Sequence, residues 1–159
     1  MTPSPRKRPR IGDVIEIATP RGFAYAHYTH RHDVPPKFGA LLRVFSGLHA
    51  ARPDTFGSIV NGPVQFVTFF PLGPACSRGI VEVVGNETIP ASARAFPIFR
   101  SGTRGADGKV AKWRRWDGTK SWPIDTLGRE ERALPIRSVW NDTLLVERIV
   151  TGWSSEHVT

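Results

Sequence analysis

Hydrophobic and polar residues alternate along much of this chain, and that two-residue period is typical of β-strands with one buried face. The alternation predicts strands in DVIEIA (13–18), GFAYAHYTH (22–30), ALLRVFSG (40–47), VQFVTFFPLG (64–73) and GIVEVVGN (79–86). FPIFR (96–100) is interrupted by Pro97, which favours an edge or irregular strand. TLLVERIV (143–150) is predicted as the last strand.

The segment KWRRWDGTKSW (112–122) predicts a β-hairpin, because the Asp-Gly pair at its centre suits a two-residue turn with positive φ. In that register Trp113 and Trp122 form a buried cross-strand pair. Trp116 and Arg114 then lie on the opposite, wetter face. A three-residue loop with a bulge stays open as the alternative, since the two-residue turn sets two cations directly opposite each other.

Helical periodicity is short and confined to two places. TLGREERAL (126–134) predicts about two turns, with Thr126 as the N-cap and Pro135 beyond the end. ARPDTFGSIV (51–60) predicts another short turn. Fifteen glycines and 14 prolines suit many short strands joined by turns. We therefore expect a single mainly β domain over residues 11–159, as a strongly bent antiparallel sheet or small barrel with one or two short helices.

The charge changes this picture less than its total indicates. The 159 residues carry a formal net charge of +8, which invites a nucleic-acid interpretation. Four cations lie in the proline-rich first ten residues, which we predict to be a disordered basic tail. The remaining 18 basic and 14 acidic residues leave the body near +4.

The cellular compartment is indicated by features that favour the cytoplasm. The single cysteine, Cys76, has no partner for an internal disulfide, which suits a reducing environment. The basic N-terminus is followed by no apolar stretch of the kind found in secretory signals, and no run approaches the ~20 apolar residues of a membrane span. We expect a cytoplasmic protein.

Candidate catalytic chemistry is weak throughout. His27, His30 and His32 lie on one strand, but His27 projects to the face opposite the other two, so they do not converge on a metal. The chain has no nucleophile elbow, phosphate-binding loop or zinc-protease motif. We expect no catalytic residue, no metal and no cofactor, and hence no enzyme.

A family resemblance runs from Ile11 to Trp153. The segments that carry it are IGDVIEI, AYAHYTH, LLRVFSG, RPDTF, FFPLG, GIVEVVGNETIP, FPIFR, KWRRWDG and LPIRSVWNDTLLVERIVTGW. In this order they resemble the immunity protein 26 family of bacterial polymorphic toxin systems. The resemblance implies a mostly β domain that binds and neutralises a cognate toxin and has no chemistry of its own.

The functional expectation is a non-enzymatic binding protein that occludes the active site of a cognate bacterial toxin. Exposed aromatic and arginine side chains are typical of such interfaces, and the candidates are Tyr25, His27, Tyr28, His30, Arg114 and Trp116. A body near +4 indicates a neutral or acidic toxin surface. The alternative is a nucleic-acid-binding β-barrel module that uses the tail and the cations of residues 112–120.

Overall fold

Two antiparallel sheets carry the fold in the computed structural model of the protein, which describes residues 8–158. The larger sheet has the order β4-β3-β2-β1-β5 and contains β1 Asp13–Thr19, β2 Gly22–His32, β3 Gly39–Phe45, β4 Val64–Phe70 and β5 Val81–Asn86. The smaller sheet has the order β6-β7-β8 and contains β6 Phe99–Ser101, β7 Arg114–Trp116 and β8 Ser121–Pro123.

Helices are few and short. They are α1 Gly57–Val60, α2 Leu72–Ser77, α3 Arg129–Ala133 and α4 Asp142–Thr151, with single 3-10 turns at Ala91–Ala93 and Ser155–His157. The mainly β prediction is confirmed. The larger sheet is open, with β4 and β5 at opposite edges and no pairing between them in residues 8–158, so it forms neither the expected small barrel nor the expected strongly bent sheet. None of the helices in this range is long and apolar enough to cross a membrane.

One face of the larger sheet supports the main core, because alternate strand residues point to the same side. Its inward side chains include Ile17 and Leu42, which are buried under α2 and α4. Leu145 and Ile149 of α4 are four residues apart and therefore lie on one side of that helix, against the sheet. Trp140 fills the same core.

The opposite face of the larger sheet is covered by two smaller apolar clusters. Tyr25 packs with Phe56 and the residues of α1 near one end. Phe69 packs with Phe99 and Trp116 near the other end. The second cluster joins the two sheets, since Phe99 lies on β6 and Trp116 lies on β7.

A linking segment, residues 135–140, also connects the sheets through its backbone. The Arg137 amide donates to the Arg100 carbonyl of β6 at 3.0 Å, and the Trp140 amide donates to the Phe69 carbonyl of β4 at 3.1 Å. Both contacts belong to parallel bridges. The smaller sheet is thus bonded to the edge of the larger one.

The last predicted strand, residues 143–150, is wrong: this segment is the helix α4. Asn141 caps its first turn, where the side-chain oxygen accepts from the Leu144 amide at 2.8 Å. Gly152 ends it with φ of 67°, a left-handed conformation that glycine adopts without strain. The β-branched residues of this segment favoured a strand, but the two caps and the buried contacts of the apolar face stabilise a helix.

The predicted hairpin at 112–122 exists with another register, in which Trp116 pairs with Ser121. The connection has four residues, because the Asp117 carboxylate accepts from the amides of Thr119 and Lys120 at 2.9 and 2.7 Å. Trp116 is buried and Trp122 is 40% exposed. The expected Trp113–Trp122 pair is therefore wrong.

Two further expectations can be compared with the structure. A short helix lies in the predicted region, but α3 begins at Arg129 after Gly128, later than the expected N-cap Thr126. The basic tail was expected over residues 1–10, and residues 1–7 lie outside the described residues. Arg10 is described, and its amide donates to the Asp13 carboxylate at 2.9 Å.

Candidate functional site

An open cleft of about 1010 Å³ lies beside the smaller sheet. We call it the basic cleft, and it is lined by Ser101, Gly102, Thr103, Val110, Ala111, Lys112, Trp113, Arg114, Pro123, Ile124, Asp125, Leu127, Arg132 and Arg137. One wall is the segment that connects β6 to β7. Its turn is closed by the hydrogen bond from the Gly105 amide to the Lys109 carbonyl at 2.8 Å. The other wall continues from the end of β8.

Four cations line the basic cleft: Lys112, Arg114, Arg132 and Arg137. Asp125 is the single carboxylate among the lining residues of the described chain. None of the four cations forms an ion pair within residues 8–158. The cleft therefore keeps a positive charge that the protein does not neutralise.

Two of these cations are held in place without being neutralised. The Arg114 guanidinium donates to the hydroxyl and carbonyl oxygens of Ser121, each at 3.1 Å. The Arg137 guanidinium lies 5.1 Å from the centre of the Trp116 ring and 5.4 Å from that of Phe38. Both contacts restrict the side chain and leave its charge available, which is a favourable starting point for binding an anion.

Arg100 and Trp113 are stacked and buried beside the cleft. The Arg100 guanidinium carbon is 4.3 Å from the Trp113 ring centre. Arg100 Nη2 donates to the carbonyls of Ser155, Val158 and Arg132, the last two at 2.7 and 3.4 Å. Arg100 Nε and Nη1 and Trp113 Nε1 have no hydrogen-bond partner in residues 8–158.

The buried position of Arg100 disfavours its positive charge. Burial lowers the pKa of Arg100, and the positive charge of Arg132 lowers it further. A buried arginine is ordinarily accompanied by a carboxylate, and here three carbonyl oxygens and an aromatic ring take that place. An anion near Arg100 and Arg132 would therefore be stabilised by two cations at once.

Four of the six residues expected to contact a partner are buried: Tyr25, His27, Tyr28 and Trp116. His30 is half-buried, and only Arg114 is exposed and lines the basic cleft. Tyr25 and Tyr28 belong to cores on different faces of the larger sheet. The six residues do not form one exposed patch, because the strand alternation sends neighbouring side chains into separate cores.

His27 and His30 each donate a hydrogen bond from Nε2 to the protein backbone. His27 Nε2 is 3.0 Å from the carbonyls of Gly12 and Glu87, so it carries the proton and donates, while Nδ1 has no partner in the described chain. Burial lowers the pKa of His27. His30 Nε2 donates to the Arg94 carbonyl at 2.8 Å. Within residues 8–158 no three metal-ligating side chains converge.

Tyr25 belongs to a charged network on the larger sheet. Its hydroxyl donates to the Glu16 carboxylate at 2.8 Å, and the Arg52 guanidinium binds both oxygens of Glu16 at 2.8 and 2.9 Å. Arg52 also donates to Glu82 at 3.0 Å. The Arg52 hydrogen bonds lower the pKa of Glu16, and burial raises the pKa of Tyr25. This network ties the segment that carries Arg52 to β1 and has a structural role.

Trp116 lies in an aromatic cluster instead of on the surface. Its ring centre is 5.0 Å from that of His32 and 5.2 Å from that of Phe38. His32 Nε2 donates to the Gly118 carbonyl at 2.8 Å, which fixes the turn of the hairpin against β2. Gly118 has φ of 102° and lies against the ring of Phe96, so a side chain does not fit there.

Comparison with protein-family models, with curated proteins and with solved structures finds no match for this chain.

The basic cleft and the exposed Trp122 are the features that sequence reasoning missed. One signal was present: residues 99–137, the small-sheet lobe, contain ten lysines and arginines against five aspartates and glutamates. A second was Asp117, whose side chain can bond the amides two and three residues later and so favours a longer loop.

Proposed function

We propose that this protein is a non-enzymatic binding protein that neutralises a cognate bacterial toxin in the cytoplasm by occluding its active site. The observation that carries the proposal is the exposed Trp122 on a lobe whose basic cleft holds four unpaired cations. The resemblance to the immunity protein 26 family over residues 11–153 supports the same role.

The chemistry of this surface favours a protein partner with an acidic or neutral face. Tryptophan and arginine are the residues most enriched among those that dominate binding energy. Arg114 on β7 and Trp122 on β8 belong to one hairpin, whose register directs Arg114 to the cleft face and Trp122 to the other face. Unpaired cations raise the association rate with an acidic surface and disfavour a basic one.

Carboxylates interspersed with these cations favour protein over nucleic acid. Asp125 lines the basic cleft itself, and Glu130 is exposed on α3. A phosphate backbone passing along the lobe would meet these like charges, whereas a folded protein can match a mixed pattern. Trp122 is also the one tryptophan of the lobe that is exposed among the described residues, and single strands are bound by several stacked aromatics.

The test is co-expression with the product of the neighbouring gene, followed by co-purification and a growth assay. We expect a complex that protects the host cell. Trp122→Ala should weaken the complex by about 2 kcal/mol as the loss of an exposed tryptophan anchor, and Arg114→Ala should weaken it by a similar amount through the basic cleft. Ile80→Ala is the control, since Ile80 is an exposed apolar residue outside the lobe. A complex that tolerates both lobe substitutions as well as the control would refute this placement.

The alternative function is nucleic-acid binding, and the net charge of +8 is the observation that favours it. Its signature is a steep loss of affinity between low and physiological salt, because bound cations are released from the phosphates. Fluorescence anisotropy with a single-stranded and a duplex DNA probe measures this directly. Absence of binding to both probes at low salt eliminates the alternative.

A further inference from the structure

The basic cleft has the properties of a ligand site that the free protein does not fill. Lys112, Arg132 and Arg137 face it without a counter-ion in residues 8–158. Next to it, the buried Arg100 and Trp113 have three N–H groups that lack an acceptor. The exposed charges of Lys112 and Arg132 are hydrated and attract a negatively charged group, whereas the unsatisfied donors of Arg100 and Trp113 are buried beside the cleft.

We infer that the basic cleft binds an acidic segment of a protein partner, with one or more Asp or Glu carboxylates placed between Lys112, Arg132 and Arg137. The inference deepens the proposed function and rests on it in taking the partner to be a protein. Occlusion of the toxin then uses two contacts: the surface at Trp122 and a charged insertion into the cleft.

The choice of a carboxylate follows from the shape and charge of the lining. The guanidinium groups of Arg132 and Arg137 can each offer two parallel N–H groups, which match the two oxygens of a carboxylate. Asp125 lines the same cleft, so the site tolerates one or two added negative charges better than a continuous row of phosphates. The volume of about 1010 Å³ admits a short peptide segment.

Arg132 is the residue on which the inference depends most. Its positive charge disfavours the buried Arg100, and its carbonyl accepts from Arg100 Nη2. Removing the Arg132 charge relieves the repulsion and keeps the carbonyl. If Arg132 served only stability, removing its charge would lower the stability of the protein and leave binding unchanged. Measurements of stability and of binding therefore distinguish a structural role of Arg132 from a binding role.

The experiment measures binding of a fluorescein-labelled peptide of eight glutamates to the full chain by anisotropy, at low and physiological salt. The test variant is Lys112→Gln/Arg132→Gln. The control is Arg21→Gln/Arg78→Gln, which removes the same charge at two exposed positions without ion pairs in the described chain. We expect the cleft variant to weaken binding by about tenfold or more and the control by less than about twofold.

Thermal unfolding of both variants accompanies the titration. The cleft variant should melt at the wild-type temperature or above it, so that its loss of affinity is not a loss of fold. Equal weakening in the cleft variant and the control would show that the peptide senses only net charge, and the inference fails. It fails also if a single-stranded DNA oligomer of eight nucleotides shows the same dependence on the cleft and binds more tightly.

The same two variants in the co-expression assay separate this inference from the proposed function. A cleft variant that binds the toxin as wild type, while Trp122→Ala does not, overturns the cleft and leaves the proposed function standing. A wild-type protein that takes the acidic peptide through the cleft but binds no neighbouring gene product overturns the proposed function and retains the anion site.

Discussion

Arg52 and Arg100, one beside each sheet, have opposite surroundings. On the larger sheet, Arg52 meets the carboxylates of Glu16 and Glu82 at 2.8 and 3.0 Å. In the small-sheet lobe, Arg100 meets carbonyl oxygens, an aromatic ring and the like charge of Arg132. The first arrangement stabilises the free protein, and the second leaves a charge that a partner can neutralise. Charge thus contributes to folding at Arg52 and lacks a counter-charge in the described chain at Arg100.

The largest expected effect is a loss of stability at Trp116, and it tests whether this tryptophan belongs to the core of the lobe. Trp116→Ala should lower the free energy of unfolding by about 3 to 5 kcal/mol, because it empties an aromatic site shared with Phe69 and Phe99. Trp122→Ala should change it by no more than about 0.5 kcal/mol, since Trp122 is exposed. Urea denaturation monitored by circular dichroism measures both. Equal losses at the two positions would mean that both tryptophans are structural.

The next effect concerns the ion-paired network of Arg52 with Glu16 and Glu82. Glu16→Ala should cost about 2 kcal/mol, because the buried Tyr25 hydroxyl loses its acceptor and Arg52 loses its main partner. Glu82→Ala is the matched control on the same arginine, and it should cost less than about 1 kcal/mol because Glu82 is exposed. A larger cost at Glu82 would show that the exposed half of the network holds the fold.

Glu16 also makes the stabilisation from this ion-paired network depend on pH. Its pKa is lowered in the folded protein, mainly by the Arg52 hydrogen bonds, so its stabilisation is present above the ordinary value of 4.5 and is lost as the pH falls further. The difference in unfolding free energy between the wild type and Glu16→Ala should therefore shrink below about pH 4.5. A difference that stays constant down to pH 3 contradicts this assignment.

The smallest effect is expected at His27. Burial lowers the pKa of this histidine, so the folded state resists a proton that the unfolded state accepts, and stability is lost as the pH falls below about 6.5. One proton limits the slope to about 1.4 kcal/mol per pH unit. His27→Gln retains a donor for the Gly12 carbonyl and should unfold with a flatter dependence between pH 7 and 5. Chemical denaturation at four pH values compares the two proteins, and identical slopes would remove His27 from the acid response.

Sequence reasoning recovered the larger sheet because that sheet obeys a local rule. Residues 13–18 and 22–30 alternate, and each fell into a strand at the predicted place. The segment 143–150 has the composition of a strand but is flanked by the caps of a helix, Asn141 and Gly152. Local capping and long-range packing make that segment a helix, and a prediction from composition alone does not include them.

The candidate site was less predictable because it depends on contacts between distant residues. Arg114 was identified from its place in the hairpin, and it does line the basic cleft. Arg132 and Arg137 lie some twenty residues away along the chain and join it only after the hairpin, α3 and the linking segment have packed. The error at Trp116 lay in which face of the hairpin was taken as buried: the longer turn shifts the register by two residues and keeps each side chain on its face, and the face of Trp116 packs against Phe69 and Phe99.

The linking segment has a mechanical consequence. A partner that binds Arg137 in the cleft pulls on a backbone whose amide is bonded to β6, and three residues later the same backbone is bonded to β4 and anchored by Trp140 in the main core. A force applied at Arg137 is therefore transmitted through backbone hydrogen bonds and a buried tryptophan into both sheets.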